Sequence, residues 1–278
     1  MTGNNSHNAA TGSGLLLRLA GPLSAYGTYA AFTHRDTAPH PTRSALIGMF
    51  AAAAGRPGPE ALLPHHDLPG EPSYHDLTFT IRIDRPGTVH TDYHVTGGGY
   101  PRSQQLRTSS GGRRPPNESA LPSHRDYLAD AAFTIAVEGP PPLIARIADH
   151  LEHPHWAPYL GRRCCIPDEP LVLGSPRTDP VEQLLHHVPL TLARPPRPGC
   201  DTVPVGFVWE QPPAHTGADS QHELPDDPVD FTRAQRRHRT RLRWRTTEQL
   251  PTALYAGPHP LHALAAYLAP EAPCTPQP

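Results

Sequence analysis

Leu15-Leu16-Leu17-Arg18-Leu19-Ala20 runs into Gly21-Pro22-Leu23-Ser24-Ala25-Tyr26-Gly27. After a short polar loop, His40-Pro41-Thr42-Arg43-Ser44-Ala45-Leu46-Ile47-Gly48 leads on to Met49 through Gly55. An apolar run closed by a Gly-Pro turn predicts a buried strand. In the second block, Pro41 and Thr42 mark a helix start and Gly55 stands where helices commonly end, which predicts a helix over Thr42–Ala54. A helix N-terminus offers unpaired N–H groups to an anion, and here Arg43 and Ser44 lie beside it. A strand, turn and helix start of this kind point to a nucleic-acid backbone before a metabolite.

Outward from that block, Asp76–Asp84 alternates with period two, with Leu77, Phe79, Ile81 and Ile83 on one face, as a half-buried strand does. Pro86-Gly87 then turns the chain into a second strand, Thr88–Val95, read as completing a hairpin with the first. From Gly97 to Pro116 the chain is rich in Gly, Ser, Arg and Pro, so it reads as a long flexible segment, with order returning at Tyr127. Ala132–Val137 is a further strand, and Pro142–Leu151 places Leu143, Ile144, Ile147 and Leu151 at helical spacing. The sequence strand, helix, strand, strand, strand, helix predicts an α+β fold, ferredoxin-like and akin to RNA-recognition modules. The expected organisation is a disordered leader over 1–14, a ferredoxin-like domain over 15–155, and a smaller β-rich region over 156–278 with proline-rich insertions.

Composition narrows the function classes. The 278 residues carry a net charge of −2, and all 24 basic side chains are arginine. A GC-rich genome accounts for that composition and for the 38 prolines, but not for the clustering of the arginines. The guanidinium fork donates two parallel hydrogen bonds to a phosphate and stacks on bases. A mechanism that needs a lysine base or Schiff base is excluded. Cys164, Cys165, Cys200 and Cys274 lack Cys-x-x-Cys spacing, so no metal and no cofactor is expected, and the thiols read as reduced. No apolar stretch reaches the roughly 18 residues of a membrane span, so a cytoplasmic protein without membrane contact is expected.

In the second half, Tyr159 to Pro167 forms a glycine turn carrying Arg162 and Arg163. Residues 175–228 are proline-rich with one clear strand, Val203–Glu210, and Gln211 to Asp227 reads as an exposed acidic insertion. Arg237, Arg239, Arg241, Arg243 and Arg245 then alternate, with Leu242 and Trp244 between them. Five like charges on one strand face call for an opposing anion, an RNA backbone or an acidic partner. A solvated edge strand guarded against aggregation is the other reading.

The chain also resembles the CasD family of the type I-E CRISPR surveillance complex, Cascade. The resemblance is carried by Leu15–Leu23 with Gly27, Pro41–Gly48, Asp92-Tyr93-His94, Arg125–Val137 and Pro158–Pro167 followed by Pro170–Gly174, with Asp226-Asp227-Pro228 as a weaker echo. Tyr26 stands where the family pattern has tryptophan, and Arg56–Ser73 and the stretch after Gly174 exceed a compact member. The resemblance implies a non-catalytic RNA-binding subunit that grips the 5′ handle of the crRNA. It also implies that the subunit caps the backbone of CasC subunits, touches the large subunit CasA and joins the other Cascade subunits. A long hairpin, the thumb, folds over the RNA in that family, and Thr96–Ser123 occupies its place. Implied RNA contacts are Arg43, Ser44, Tyr93, His94, Tyr100, Arg102, Arg107, Arg125, Arg162 and Arg163, with Arg237, Arg239, Arg241 and Arg243 facing RNA or a partner.

Two other classes remain open. Tyr93 and His94 suggest a precursor-RNA endoribonuclease of the type I-C kind, but the associated Tyr, Lys and His set lacks its lysine here. A protein-only scaffold would leave the arginine clusters idle.

Overall fold

The structure is a computed structural model that describes residues 13–28, 33–97, 99–108, 110–115, 120–213, 220–232 and 236–269. Residues 1–12 of the leader expected over 1–14, Cys274 and parts of the expected thumb and acidic insertion lie outside these residues, whereas Ser13 and Gly14, expected in the leader, belong to the first strand. Strand β1 (Ser13–Ala20) is buried on both faces, which is why Leu15-Leu16-Leu17 is a continuous apolar run. Leu15, Leu17 and Leu19 join one core cluster and Leu16 the other. The first cluster is covered by α1 (Arg43–Ala53) and α2 (Pro141–Glu152), the second by α3 (Pro180–His186) and α4 (Pro260–Leu268). The result is three layers, with a sheet between two pairs of helices.

That sheet has seven strands, all neighbours antiparallel. Besides β1 it contains β4 (Thr78–Arg85), β7 (Ala132–Glu138), β8 (Val172–Thr178), β9 (Thr202–Trp209), β10 (Ser220–Asp230) and β11 (Arg237–Pro251). Their order is β10-β11-β9-β4-β7-β1-β8. The chain order β1, α1, β4, β7, α2, β8 thus occupies one end of the sheet, and β9 to β11 extend it beyond β4. Thr42 caps α1 by accepting from the Ala45 N–H at 3.3 Å, and Gly55 turns the chain away with φ +70°.

A second, smaller sheet stands off the first. Strand β5 (Thr88–Gly97) pairs antiparallel with β6 (Ala120–Ala129) from Thr88↔Ala129 to Gly97↔Ala120. The short strands β2 (Leu23–Ser24) and β3 (His34–Arg35) also join β6 near its base. Several expectations change here. Thr88–Val95 does not pair with the strand before it: the ribbon bends at Pro86-Gly87, so β4 stays with β7 and β9 while β5 leaves with β6. The pairing also runs through Thr96, Gly97 and Ala120–Ser123, so order returns before Tyr127. Within the remaining described part, Arg102–Gln104 is a 3-10 turn, and Arg107 bridges to Arg113. Glycine content and charge made this stretch look unstructured, because hydrogen bonding across 23 or more residues leaves no local signal.

The acidic insertion is also corrected. Of its described residues, 220–227 belong to strand β10, and Asp226 and Asp227 are buried. Register shifts flank them, between Leu224 and Asp227 and between Pro228 and Asp230. A bulge breaks the period-two alternation, which lets two consecutive carboxylates face inward.

Candidate nucleic-acid interface

The buried carboxylates meet the helix start singled out in the sequence. The Arg43 N–H at the head of α1 donates to Asp226 Oδ2 at 2.8 Å. Its guanidinium donates to Asp227 (3.1 Å), Glu210 (2.7 Å) and the carbonyls of Leu77 (2.9 Å), Tyr74 (3.3 Å) and His75 (2.9 Å). All five of its N–H groups are therefore used. Arg243 donates to both oxygens of Asp226, at 2.7 and 2.9 Å, and lies 3.2 Å from Glu210. Burial pushes the Glu210 carboxyl up, against the pull of Arg43 and Arg243. The expected phosphate cradle does hold an anion, and that anion is Asp226. Arg43, expected to contact RNA, and Arg243, expected to face RNA or a partner, are both 3% exposed and form internal ion pairs instead.

The arginine strand is corrected with them. Strand β11 lies between β10 and β9, so it is no edge strand. Arg239 donates to Asp227 at 2.9 Å, and Arg241 stands 3.6 Å from Glu210. The acids that answer the alternating arginines come from the chain itself. Arg237 remains exposed.

The β5–β6 ribbon carries the other expected contacts. Residues directly opposite across an antiparallel pair share a face. Tyr93 lies opposite His124, with ring centroids 5.4 Å apart, and is 62% exposed. His94 is on the other face with Asp92, 3.7 Å away, and Arg125, whose guanidinium reaches Ser123 and Thr96. Tyr100 and Arg107 are exposed, and the Arg107–Arg113 bridge sets two like charges across from each other. Arg102 is in the 3-10 turn, its side chain outside the described atoms.

At the ribbon's base, Arg162 sits over the Tyr127 ring at 4.5 Å. It donates to the carbonyls of Asp126 (2.9 Å), Arg35 (3.1 Å) and Asp36 (3.3 Å). It pins β6 to β3, a structural role that differs from the expected RNA contact. Gly161 makes this possible: its φ is +85°, and any Cβ there would fall inside the Ala25 carbonyl. Arg163, next along, is exposed.

Beside this base opens a groove of about 690 Å³. Its floor is the small-residue face of α1, with Ser44, Ala45, Gly48 and Ala52. Its rim carries Arg35, Arg56, Arg162 and Arg236 against Asp36, with Trp156, Tyr159 and Phe231. A Cβ on Gly48 would meet nothing within 4 Å, so the floor is open there. Trp156 is 48% exposed, with the His155 ring set against it at 4.6 Å between centroids. Of these, sequence reasoning reached only Ser44 and Arg162. Arg35, Arg56 and Trp156 are isolated residues of three separate segments, and the one signal available was that Arg236 adjoins the arginine run beginning at Arg237. Among the described residues, no helix is long and apolar enough to cross a membrane.

The fold and groove define a mixed α/β protein with a protruding two-stranded arm and a basic, aromatic cleft at its base. Residues 14–243 match the model of the family described as CRISPR-associated protein (Cas_Cas5), and the chain belongs to that family. It is 30% identical over 189 residues to the CRISPR system Cascade subunit CasD of Escherichia coli (strain K12), covering 63% of this chain and 77% of the relative. A chain of a solved CRISPR RNA-guided surveillance complex superposes with a TM-score of 0.79 at 40% identity, covering 92% of this chain and 99% of the other. A second solved structure, titled as a Cas protein, gives 0.56 at 26% identity over 87% and 97%.

Proposed function

We propose that this protein is a non-catalytic RNA-binding subunit of a CRISPR surveillance complex of the Cascade type, which grips the 5′ handle of the crRNA. The observation that carries the reading is the groove, where the exposed Arg35 and Arg236 and the exposed Trp156 line a cleft that adjoins the base of the thumb ribbon. Arginine forks on phosphates and rings on unstacked bases are how single-stranded RNA is held. The ribbon and the segment at its tip add Tyr93, Tyr100 and Arg107 as candidate contacts, and the glycine turn adds Arg163, with Ser44 on the groove floor. Capping of the CasC backbone and contact with CasA belong to the same reading, supported by the similarity to CasD.

The endoribonuclease alternative is less favoured by the geometry. Tyr93 and His94 point to opposite faces of β5, so they do not converge on one scissile bond. With purified protein and repeat RNA, the reading expects binding by fluorescence anisotropy and an intact RNA on a denaturing gel. Arg107→Ala should weaken binding several-fold. A discrete cleavage product at the handle would overturn the non-catalytic assignment.

A further inference from the structure

The Arg43 cluster joins three distant parts of the chain: the head of α1, the end of β9 and the β10–β11 pair. Beyond Asp226 and Asp227, the same pair carries Phe231, Arg236 and His238, which form one wall of the groove opposite Ser44 and Ala45. Arg236 lies over the Phe231 ring at 5.4 Å, and His238 meets that ring edge-on at 6.3 Å. The wall is held at a second point, since a Cβ on Gly58 would stand 2.8 Å from the Phe231 carbonyl oxygen. The floor and the wall are therefore tied by carboxylates that also close the helix end.

We propose that Asp226 and Asp227, through Arg43, are positioning residues that hold the β10–β11 wall across α1 and so place Arg236 against RNA bound in the groove. The inference rests on the RNA-groove reading above and adds to it a contact residue, Arg236, and the device that aims it. The cluster's form fits this role. A helix end needs only a local cap, which Thr42 already supplies. The further carboxylate on the Arg43 N–H comes from 183 residues away and brings the wall with it. Breaking a buried pair leaves an uncompensated charge, so loss of Asp226 releases the wall. Arg241 and Arg239, both beside Asp227, and His75, 3.8 Å from it, face the same cluster.

The test is a double-mutant cycle on the full chain, read by anisotropy with a labelled single-stranded repeat RNA across a salt series. Arg236→Ala should weaken binding about tenfold and lower the slope of log affinity against log salt by about 0.7, the loss of one phosphate contact. Asp226→Asn should do the same while keeping a cooperative melt. The double variant should then be no weaker than either single one, because an unaimed Arg236 has nothing left to lose. Losses that add would overturn the latch and leave the groove reading standing. No effect of Arg236→Ala in the parent chain would overturn the contact and the latch together. If Asp226→Asn fails to fold, Asp227→Asn takes its place in the cycle. Hydrogen exchange over 229–232 then gives the second readout: unchanged protection in the variant contradicts the latch.

Discussion

Arg162→Ala should loosen the β5–β6 ribbon while leaving the seven-stranded sheet intact. A two-stranded ribbon is marginal in water unless something holds it, and most of β5 is exposed. Its tether at the base is Arg162, with three carbonyl acceptors and the Tyr127 ring. Hydrogen bonds from a charged donor contribute about 1.5–3 kcal/mol when buried, and a cation over an exposed ring adds about 0.5–1 kcal/mol. Arg162 is only half-buried and its bonds reach solvent, so each of the three falls to the ordinary net value of about 0.8 kcal/mol, and with about 0.5 kcal/mol from the ring the site contributes about 3 kcal/mol. That amount corresponds to roughly a hundredfold rise in local opening. Hydrogen exchange with mass spectrometry reads it directly: amides of 120–129 should lose about a hundredfold protection, whereas those of 132–138 should keep theirs. Arg162→Lys should rescue little, since a single ammonium cannot span three carbonyls in a fixed plane. Equal losses in both segments, or none in either, would refute the pinning argument.

Two further predictions concern stability. His65 is buried and accepts from Arg56 at 2.6 Å through Nε2, because a guanidinium can only donate. Burial, and then Arg56, lowers its pKa to about 4. The fold therefore favours neutral His65, and its contribution is present above pH 6.5 and lost as pH falls from there towards 4. The shift corresponds to at most about 3 kcal/mol. His65→Gln keeps an acceptor for Arg56, so urea denaturation should show a smaller fall in stability between pH 7.5 and 4.5 than in the parent chain. An equal fall would refute the assignment. Gly161→Ala should cost about 3 kcal/mol or more, since it combines a left-handed backbone with a clash against the Ala25 carbonyl. A melting temperature within a degree of the parent's would contradict the close approach.

What the sequence disclosed follows from where the information lies. Strand β1, helices α1 and α2 and strands β4, β7 and β9 announce themselves through local periodicity and end signals such as Thr42 and Gly55. The role of Arg43 was not legible, because the phosphate expected at the head of α1 is replaced by carboxylates that are distant in sequence. Asp226 and Asp227 read as solvent-exposed acids because adjacent strand residues ordinarily face opposite ways, and only the bulge turns both inward. The arginine ladder of β11 misleads for the same reason, since its counter-charges sit on β10 and at Glu210. The groove escaped for a related cause: it is assembled from α1, the segment from Trp156 to Arg162, β3 and the β10–β11 wall, with no more than a residue or two of chemistry in most of them.

The central claim is that the groove over α1 receives RNA, and Gly48→Leu tests it most directly. Gly48 faces open space on the groove floor, so a larger side chain there should enter the cleft without striking the core. Leucine is also the better helix former by about 0.7–1 kcal/mol. The account predicts opposite signs: a melting temperature raised by a few degrees, and repeat-RNA affinity lowered at least tenfold by anisotropy. A stabilised variant that binds RNA as tightly as the parent chain would contradict it.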